Sequence, residues 1–194
     1  MLNICIFGDS IARGEYDSVN GGWANLLIND LRERKDDASV YNLSICGDTT
    51  AGLLKRFKVE AVARNPEIII FAIGINDASY DNVLHKETVV LPQFKKNFSK
   101  LISEARKFTP KIIFVGLTRV TEEVTDPVNW ADISYLNSKI ELYDDVIKEI
   151  CRKEKLSYIK VSRLITKEDL EDGLHPNTRG HEKLFEKVKV LLNK

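Results

Sequence analysis

The strongest constraint on the fold is an alternation between short apolar runs, rich in β-branched residues, and longer stretches with helical periodicity. Five such runs occur, at residues 2–7, 40–45, 67–73, 111–117 and 157–161. The third, EIIIFAI, is apolar almost throughout, as expected of a strand that is covered on both faces. Strands that alternate with helices form parallel sheets, so the chain is predicted to be an α/β protein with three layers, α/β/α.

Between these runs, apolar residues recur at spacings of three and four, which is typical of a helix with one buried face. A weaker helical pattern fills residues 50–64 and is ended by Asn65 and Pro66. The clearer stripes are Trp23, Leu26, Leu27 and Leu31; Phe94, Phe98, Leu101, Ile102 and Ala105; Leu136, Ile140, Tyr143, Ile147 and Ile150; and Leu184, Val188 and Leu191.

Length and charge limit the classes of function. With 194 residues and no repeat, linker or low-complexity tract, the chain is expected to form a single domain over residues 1–194. Lys plus Arg and Asp plus Glu both number 29, so there is no basic excess of the kind that binds nucleic acid or acidic lipid. We expect the partner to be a small molecule or another protein.

The N-terminal residues and the cysteines bear on the compartment. Residues 2–7 lack a signal peptide's basic region and cleavage site, and no segment approaches the roughly 20 apolar residues of a membrane-spanning helix. The three cysteines, Cys5, Cys46 and Cys151, are too few and too far apart for a zinc knuckle, and their odd number argues against a disulfide framework. We therefore expect a cytoplasmic, reduced protein with no stable membrane association.

Polar groups suited to catalysis follow four of the apolar segments. They lie at Gly8-Asp9-Ser10, Cys46-Gly47-Asp48, residues 74–77 (GIND) and residues 172–176 (DGLHP). Ligands of parallel sheets bind past the carboxyl ends of the strands, so these groups are predicted to share one rim. Two long loops, 78–88 and 118–132, are also expected to be functional.

These residue types fit acyl transfer from a serine. Ser10 needs an imidazole to take its proton, and Asp172 lies three residues from His175, close enough to orient the ring. The amides of Ser10 and Gly47 and the carboxamide of Asn76 are candidate donors to an oxyanion.

The four blocks, in this order and in so short a chain, resemble those of the GDSL, or SGNH, hydrolase family. The resemblance covers the whole chain and implies a flavodoxin-like, five-stranded sheet in the order 2-1-3-4-5, with no metal and no cofactor. It implies serine-dependent hydrolysis of esters or thioesters. It makes Ser10 the nucleophile, His175 the base, Asp172 its orienting partner, and Ser10, Gly47 and Asn76 the oxyanion hole.

Simpler interpretations remain open for several of these residues. Ser10 read alone is a helix cap, and Asn76 read alone holds a turn. His181 with Asp172 and His175 raises a metal site, but the spacing fits no common zinc pattern, and early in an amphipathic helix His181 is expected to be solvated. Cys46 is expected to be a small core residue.

Other expectations concern structural roles and a possible lid. His85 is expected to be exposed, Trp23 to pack its helix on the sheet, Asp9 to shape the turn before Ser10, and Asp77 to hold the loop that carries Asn76. Few residues remain for a lid, so we expect an open cleft that takes short acyl groups.

Three functions are therefore compared. The leading hypothesis is a serine acylhydrolase that works through an acyl-enzyme intermediate on a small or short-chain ester or thioester. The same triad would serve an acyltransferase. A non-catalytic flavodoxin-like module that binds phosphate or a nucleotide is disfavoured, because no glycine-rich phosphate motif is present and Asp9 would repel an anion.

Overall fold

The computed structural model describes residues 2–35, 37–190 and 192. The described strands are β1 (Leu2–Gly8), β2 (Ala38–Asn42), β3 (Ile68–Ala72), β4 (Tyr80–Asp81), β5 (Lys86–Glu87), β6 (Ile112–Val115), β7 (Ile133–Ser134) and β8 (Ser157–Ile159). Five of them form a parallel sheet in the order β2-β1-β3-β6-β8. These are the five predicted strands, so the α/β class and the order 2-1-3-4-5 are confirmed.

The helices alternate with these strands as predicted. They are α1 (Ser10–Arg13), α2 (Trp23–Glu33), α3 (Thr50–Arg64), α4 (Leu91–Ala105), α5 (Glu122–Thr125), α6 (Asn137–Glu154) and α7 (Thr178–Lys189), with a 3-10 turn at Lys167–Asp169. Leu191, which the sequence assigns to the last helical stripe, lies outside the described residues. None of the helices in the described part of the chain has the length and apolar character needed to cross a bilayer.

Alternate residues of the central strands enter two separate cores. On β1, Cys5 and Phe7 pack into the core that contains Phe57 of α3. Ile4 and Ile6 pack into the opposite core, which contains Trp23 of α2. This alternation explains why β1 and β3 read as continuous apolar runs, since both faces of the sheet are covered.

The loop at 78–88 and the residues directly after the loop at 118–132 form a second sheet that the sequence did not predict. Strands β5, β4 and β7 form a three-stranded antiparallel sheet in that order. Asn82 Nδ2 also donates a hydrogen bond of 2.9 Å to Ser134 Oγ, which ties the segment after β4 to β7. Strands of two residues are too short to show an alternating pattern, which is why the sequence gives no sign of them.

Two expectations about individual side chains are wrong. Cys46 is exposed, because β2 ends at Asn42 and the residues before Gly47 form an irregular segment instead of a buried strand end. His181 is fully buried, because α7 packs against α2 and the ring faces the start of that helix. His85 is exposed and Trp23 is buried, as expected.

Candidate active site

Ser10 lies directly after β1, where the chain turns sharply into α1. The turn requires Gly8, because a Cβ there would lie 2.5 Å from a neighbouring side chain and from a backbone carbonyl oxygen. Asp9 is the N-cap residue, and its Oδ1 accepts a hydrogen bond of 3.0 Å from the Ile11 N–H. Ser10 is therefore the first residue of the helix and not its cap, so its hydroxyl is available to another partner.

The Ser10 hydroxyl is paired with the imidazole of His175. Ser10 Oγ lies 2.9 Å from His175 Nε2 in a buried contact. On the other side of the ring, His175 Nδ1 lies 2.7 Å from Asp172 Oδ2. Because a carboxylate only accepts, it favours the tautomer with the proton on Nδ1 and leaves Nε2 to accept from the Ser10 hydroxyl.

The Asp172 carboxylate is held in its charged form. Burial alone would raise the pKa of Asp172, but hydrogen bonds from the ring and the backbone N–H of His175 outweigh burial and lower it. Asp172 Oδ1 accepts from the N–H groups of His175 at 2.7 Å and Leu174 at 3.0 Å. The same carboxylate therefore shapes the turn and orients the imidazole.

Asp169, whose carboxylate is fully buried, anchors the turn that carries Asp172 and His175. Asp169 accepts hydrogen bonds of 2.7 Å from Arg179 Nε and from Lys183 Nζ, both on α7. Burial would raise the pKa of Asp169, but these bonds and those from the backbone and side chain of Thr166 hold it well below its ordinary value. The turn is thus tied to α7.

Gly47 lies on another wall of the same site. Although β2 ends early, the Ile45 N–H donates a hydrogen bond of 3.0 Å to the Gly8 carbonyl and keeps this segment against the end of β1. Gly47 has a φ of 73°, in the left-handed region, and an added Cβ would meet no atom within 4 Å. Glycine therefore suits both the backbone conformation and a close approach of substrate.

The carboxamide of Asn76 is held by two partners. Its Nδ2 donates a hydrogen bond of 2.9 Å to the Asp48 carbonyl, and its Oδ1 accepts one of 2.8 Å from the Tyr135 hydroxyl. The Asp48 carbonyl can only accept, which fixes the nitrogen toward the Gly47 turn. A primary amide has two N–H groups, so one remains for a ligand.

One cleft of about 270 Å³ unites most of the predicted site. Its lining includes Ser10, Gly47, Asn76 and His175, while Asp172 lines a neighbouring groove behind the imidazole. The structure therefore brings together all five residues that the sequence selected for the triad and oxyanion hole.

Behind the cleft, Asp77 joins the loop after β3 to α3. Its carboxylate accepts hydrogen bonds from the N–H and the hydroxyl of Thr50, and the Asn97 amide donates a bond of 2.9 Å to that hydroxyl. Burial raises the pKa of Asp77 to about 7, against the effect of the Thr50 bonds. These contacts give Asp77 the structural role expected for it.

Three aromatic residues of the cleft were missed by sequence reasoning. Tyr135 is buried, and burial raises its pKa to about 12, with the Asp9 and Asp172 carboxylates acting in the same direction, so its hydroxyl stays a donor to Asn76. Tyr16 and Trp130 are about half exposed and flank His175. All three lie in loops or at a two-residue strand, where no periodicity marks them.

Asp9 is a buried acid next to the site. Burial raises its pKa to about 7, while the Ile11 N–H and the nearby His175 act in the opposite direction. Its hydrogen bond to Ile11 gives it the turn-shaping role expected from the sequence. Among the described residues, no three His, Cys, Asp or Glu side chains are grouped so that they could hold a metal ion.

A serine hydroxyl bonded to an imidazole and carboxylate, at the carboxyl edge of a parallel sheet, is the arrangement of α/β serine hydrolases. The chain also matches the model of the GDSL-like Lipase/Acylhydrolase family over residues 6–183. It belongs to that family, and the expectation of an enzyme that hydrolyses carboxylic esters is confirmed.

Curated relatives and a solved structure agree with this assignment. The chain is 22% identical to an arylesterase of Vibrio mimicus, over 89% of this chain and 79% of the relative. It is 24% identical to Esterase TesA of Pseudomonas aeruginosa, over 95% and 85% respectively. The crystal structure of a lipase/acylhydrolase from Enterococcus faecalis superimposes with a TM-score of 0.84 at 25% identity, covering 99% of this chain and 95% of that one.

Proposed function

We propose that the protein is a serine esterase that cleaves esters of small or short-chain acyl groups through an acyl-enzyme intermediate. Ser10 is the nucleophile, His175 the general base and acid, and Asp172 the group that orients the imidazole. The observation that carries the proposal is the chain of two short contacts, Ser10 Oγ to His175 Nε2 and His175 Nδ1 to Asp172 Oδ2.

In the first half of the reaction, Ser10 Oγ attacks the ester carbonyl carbon while His175 Nε2 takes the hydroxyl proton. The carbonyl oxygen becomes an oxyanion that accepts hydrogen bonds from the amides of Ser10 and Gly47 and from Asn76 Nδ2. When the tetrahedral intermediate collapses, the bond to the leaving oxygen breaks. His175 returns its proton to that oxygen, the alcohol departs, and the acyl group stays on Ser10.

In the second half, water takes the place of the alcohol. His175 Nε2 takes a proton from the water, whose oxygen attacks the acyl carbon, and the second intermediate collapses to release the acid. Ser10 recovers its proton from His175. Asp172 stays ionised throughout and stabilises the charged imidazole that forms in each half-reaction.

The space around Ser10 supports the preference for short acyl groups. The cleft holds about 270 Å³ and is open to solvent. A separate, mostly apolar cavity, whose lining includes Asp9 and Ile11 on either side of Ser10 in the chain, holds only about 30 Å³, which is room for one or two water molecules. A long acyl chain would therefore lie on the surface and bury little of its apolar area.

An acyl-length series tests this proposal. Hydrolysis of p-nitrophenyl esters from acetyl to palmitoyl is expected to show the highest kcat/KM at the short end, and a clear maximum at long chains would contradict the short-chain assignment. Product analysis with added ethanol separates hydrolysis from transfer. We expect the free acid as the main product, whereas an ethyl ester as the main product would identify an acyltransferase.

A further inference from the structure

The proposed mechanism gives the site two distinct sides. Gly47 and Asn76 lie on the side of the carbonyl oxygen. His175 must protonate the leaving oxygen through Nε2, so the alcohol part of the ester has to lie beside the imidazole. The surroundings of His175 therefore determine which alcohols the enzyme accepts.

Two exposed aromatic side chains flank that imidazole. The Tyr16 ring centroid lies 5.1 Å from that of His175, and the Trp130 centroid lies 6.2 Å from it. Tyr16 is 52% exposed and Trp130 is 51% exposed, although large aromatic side chains of this protein are mostly buried. Both thus present apolar surface to whatever occupies the alcohol side.

Trp130 also lines a second and larger space. On its far side lies a groove of about 830 Å³ that includes Asn129, Glu168, Glu171 and Asp172 in its lining. We call this space the Trp130 groove. Trp130 borders both spaces and Asp172 lies behind His175, so the groove adjoins the cleft on the side of the imidazole.

The lining of the Trp130 groove combines an apolar part, formed by Trp130, Val124, Pro127 and Leu170, with charged side chains that are mainly acidic. Glu168, Glu171 and Asp172 contribute three carboxylates, against the single ammonium group of Lys167. Carboxylates accept hydrogen bonds from hydroxyl groups, while Asn129 and Lys167 donate to them. The groove therefore combines one exposed aromatic face with both acceptors and donors.

We propose that the Trp130 groove binds the alcohol part of the substrate, and that this alcohol is a neutral, hydroxyl-rich ring such as a sugar unit. The aromatic face of Trp130 packs against the C–H face of the ring, and the carboxylates of Glu168 and Glu171 accept from its hydroxyls, since Asp172 is already engaged by His175 and Leu174. The inference rests on the proposed function, since it takes the side of the leaving group from the role of His175.

Other classes of alcohol fit this lining less well. A phosphate-bearing leaving group, as in a lysophospholipid or coenzyme A, would be repelled by the carboxylates of Glu168, Glu171 and Asp172. A long alkyl alcohol would fit the apolar part of the lining but would displace water from the Glu171 carboxylate without replacing its hydrogen bonds. A compact cation would contact the aromatic and acidic groups but would fill little of the groove's volume.

The test compares acetyl esters that differ only in the alcohol. Acid release is followed by pH-stat for a mono-O-acetylated methyl glucoside, ethyl acetate, acetylcholine and acetyl-coenzyme A. We expect the highest kcat/KM for the glucoside ester. A higher value for acetylcholine or acetyl-coenzyme A, or equal values for the glucoside ester and ethyl acetate, would overturn the inference.

Two variants locate the preference in the groove. Trp130→Ala is expected to lower the ratio of kcat/KM for the glucoside ester over ethyl acetate about tenfold, as the loss of a large contact surface does in a binding pocket. Tyr41→Ala, which removes a partly exposed aromatic on β2 that lines neither the cleft nor the Trp130 groove, should leave this ratio unchanged. An unchanged ratio in Trp130→Ala would overturn the inference.

The charge of the lining is tested separately by Glu171→Gln, because Glu171 is exposed and a Gln keeps its size. We expect this variant to raise kcat/KM for acetyl-coenzyme A at low ionic strength, with the gain reduced in high salt. No gain would contradict the acidic character assigned to the groove.

If wild-type protein hydrolyses none of the four esters, the proposed function fails and this inference fails with it. Hydrolysis of ethyl acetate without preference for the sugar ester refutes only the inference.

Discussion

Ser10 Oγ and His175 Nε2 lie 2.9 Å apart, although 165 positions separate the two residues in the chain. Each is fixed by its own local structure. Gly8 and Asp9 form the turn that presents Ser10, and the buried Asp169 ties the turn that presents His175 to α7. The contact is therefore built into the fold and does not depend on a bound substrate.

Asp172→Asn tests the orienting role of the carboxylate. An amide in this position can donate to His175 Nδ1 and so favours the wrong tautomer, with the proton on Nε2. We expect kcat for p-nitrophenyl acetate to fall on the order of 10⁴-fold with little change in KM. Asp145→Asn, an exposed position on α6, is the matched control. Activity of Asp172→Asn within tenfold of wild type would contradict the role.

Variants of Asn76 and Tyr135 test the proposed oxyanion hole and the hydrogen bond from Tyr135 that holds the Asn76 carboxamide. Asn76→Ala removes a donor to the oxyanion and should lower kcat about 10²–10³-fold. Tyr135→Phe removes only the hydroxyl that holds the carboxamide, so we expect a smaller loss of about tenfold in kcat. Steady-state kinetics of both variants and of the double variant checks this. If the two effects simply multiply in the double variant, Tyr135 does not act through Asn76.

Gly47→Ala separates stability from catalysis. The φ of 73° makes alanine strained by about 1 kcal/mol, but the new methyl group meets no protein atom within 4 Å. The methyl group instead enters the cleft, where the substrate must lie. Urea unfolding should show only that modest loss, while kcat/KM falls by about 10²-fold, comparable to the loss of one oxyanion donor. Unchanged kcat/KM would show that Gly47 neither contacts the substrate nor donates to the oxyanion.

The lowered pKa of the buried His181 makes the free energy of unfolding depend on pH. Burial lowers the pKa of His181 to about 4, against the opposite effect of Asp17, with His175 adding slightly to the lowering. The unfolded state therefore binds the proton first, so stability is complete above about pH 6.5 and is lost as the pH falls toward 4. Between pH 7 and pH 4.5 the loss from this residue should be roughly 2 kcal/mol.

Urea unfolding of wild type and His181→Gln at pH 7, 5.5 and 4.5 measures that dependence. The glutamine does not titrate, so the stability of the variant should fall less steeply over this range. The slope with pH is the readout, and any constant offset from lost contacts is subtracted out. Parallel profiles would show that His181 is not buried in its neutral form.

Much of this architecture is predictable from the sequence. The runs on β1 and β3 are apolar on both faces because two cores enclose them. The stripe from Trp23 to Leu31 marks α2 because one face of that helix packs into one of these cores. The strand order came from the family resemblance, since periodicity within a strand carries no information about its neighbours. The five residues proposed for the triad and oxyanion hole were selected because polar groups suited to catalysis follow four of the predicted apolar segments, whose ends were expected to share one rim.

The errors and omissions come from long-range packing. His181 looks solvated by its place early in α7, yet its Nδ1 accepts from the Trp23 N–H at 3.3 Å across two helices. Cys46 was placed at a strand end that the chain does not reach, because β2 ends at Asn42. Tyr135 and Trp130 enter the site through the segment around β7, whose pairing with β4 leaves no local signal.

The most direct test of the central claim is labelling of Ser10 by an organophosphonate, read by intact-protein and peptide mass spectrometry alongside hydrolysis of p-nitrophenyl acetate. We predict that one phosphonyl group attaches to Ser10 as activity is lost, and that Ser10→Ala is neither labelled nor active while keeping the wild-type unfolding transition. Label on another residue, or wild-type turnover by a folded Ser10→Ala protein, would contradict the assignment of Ser10 as the nucleophile.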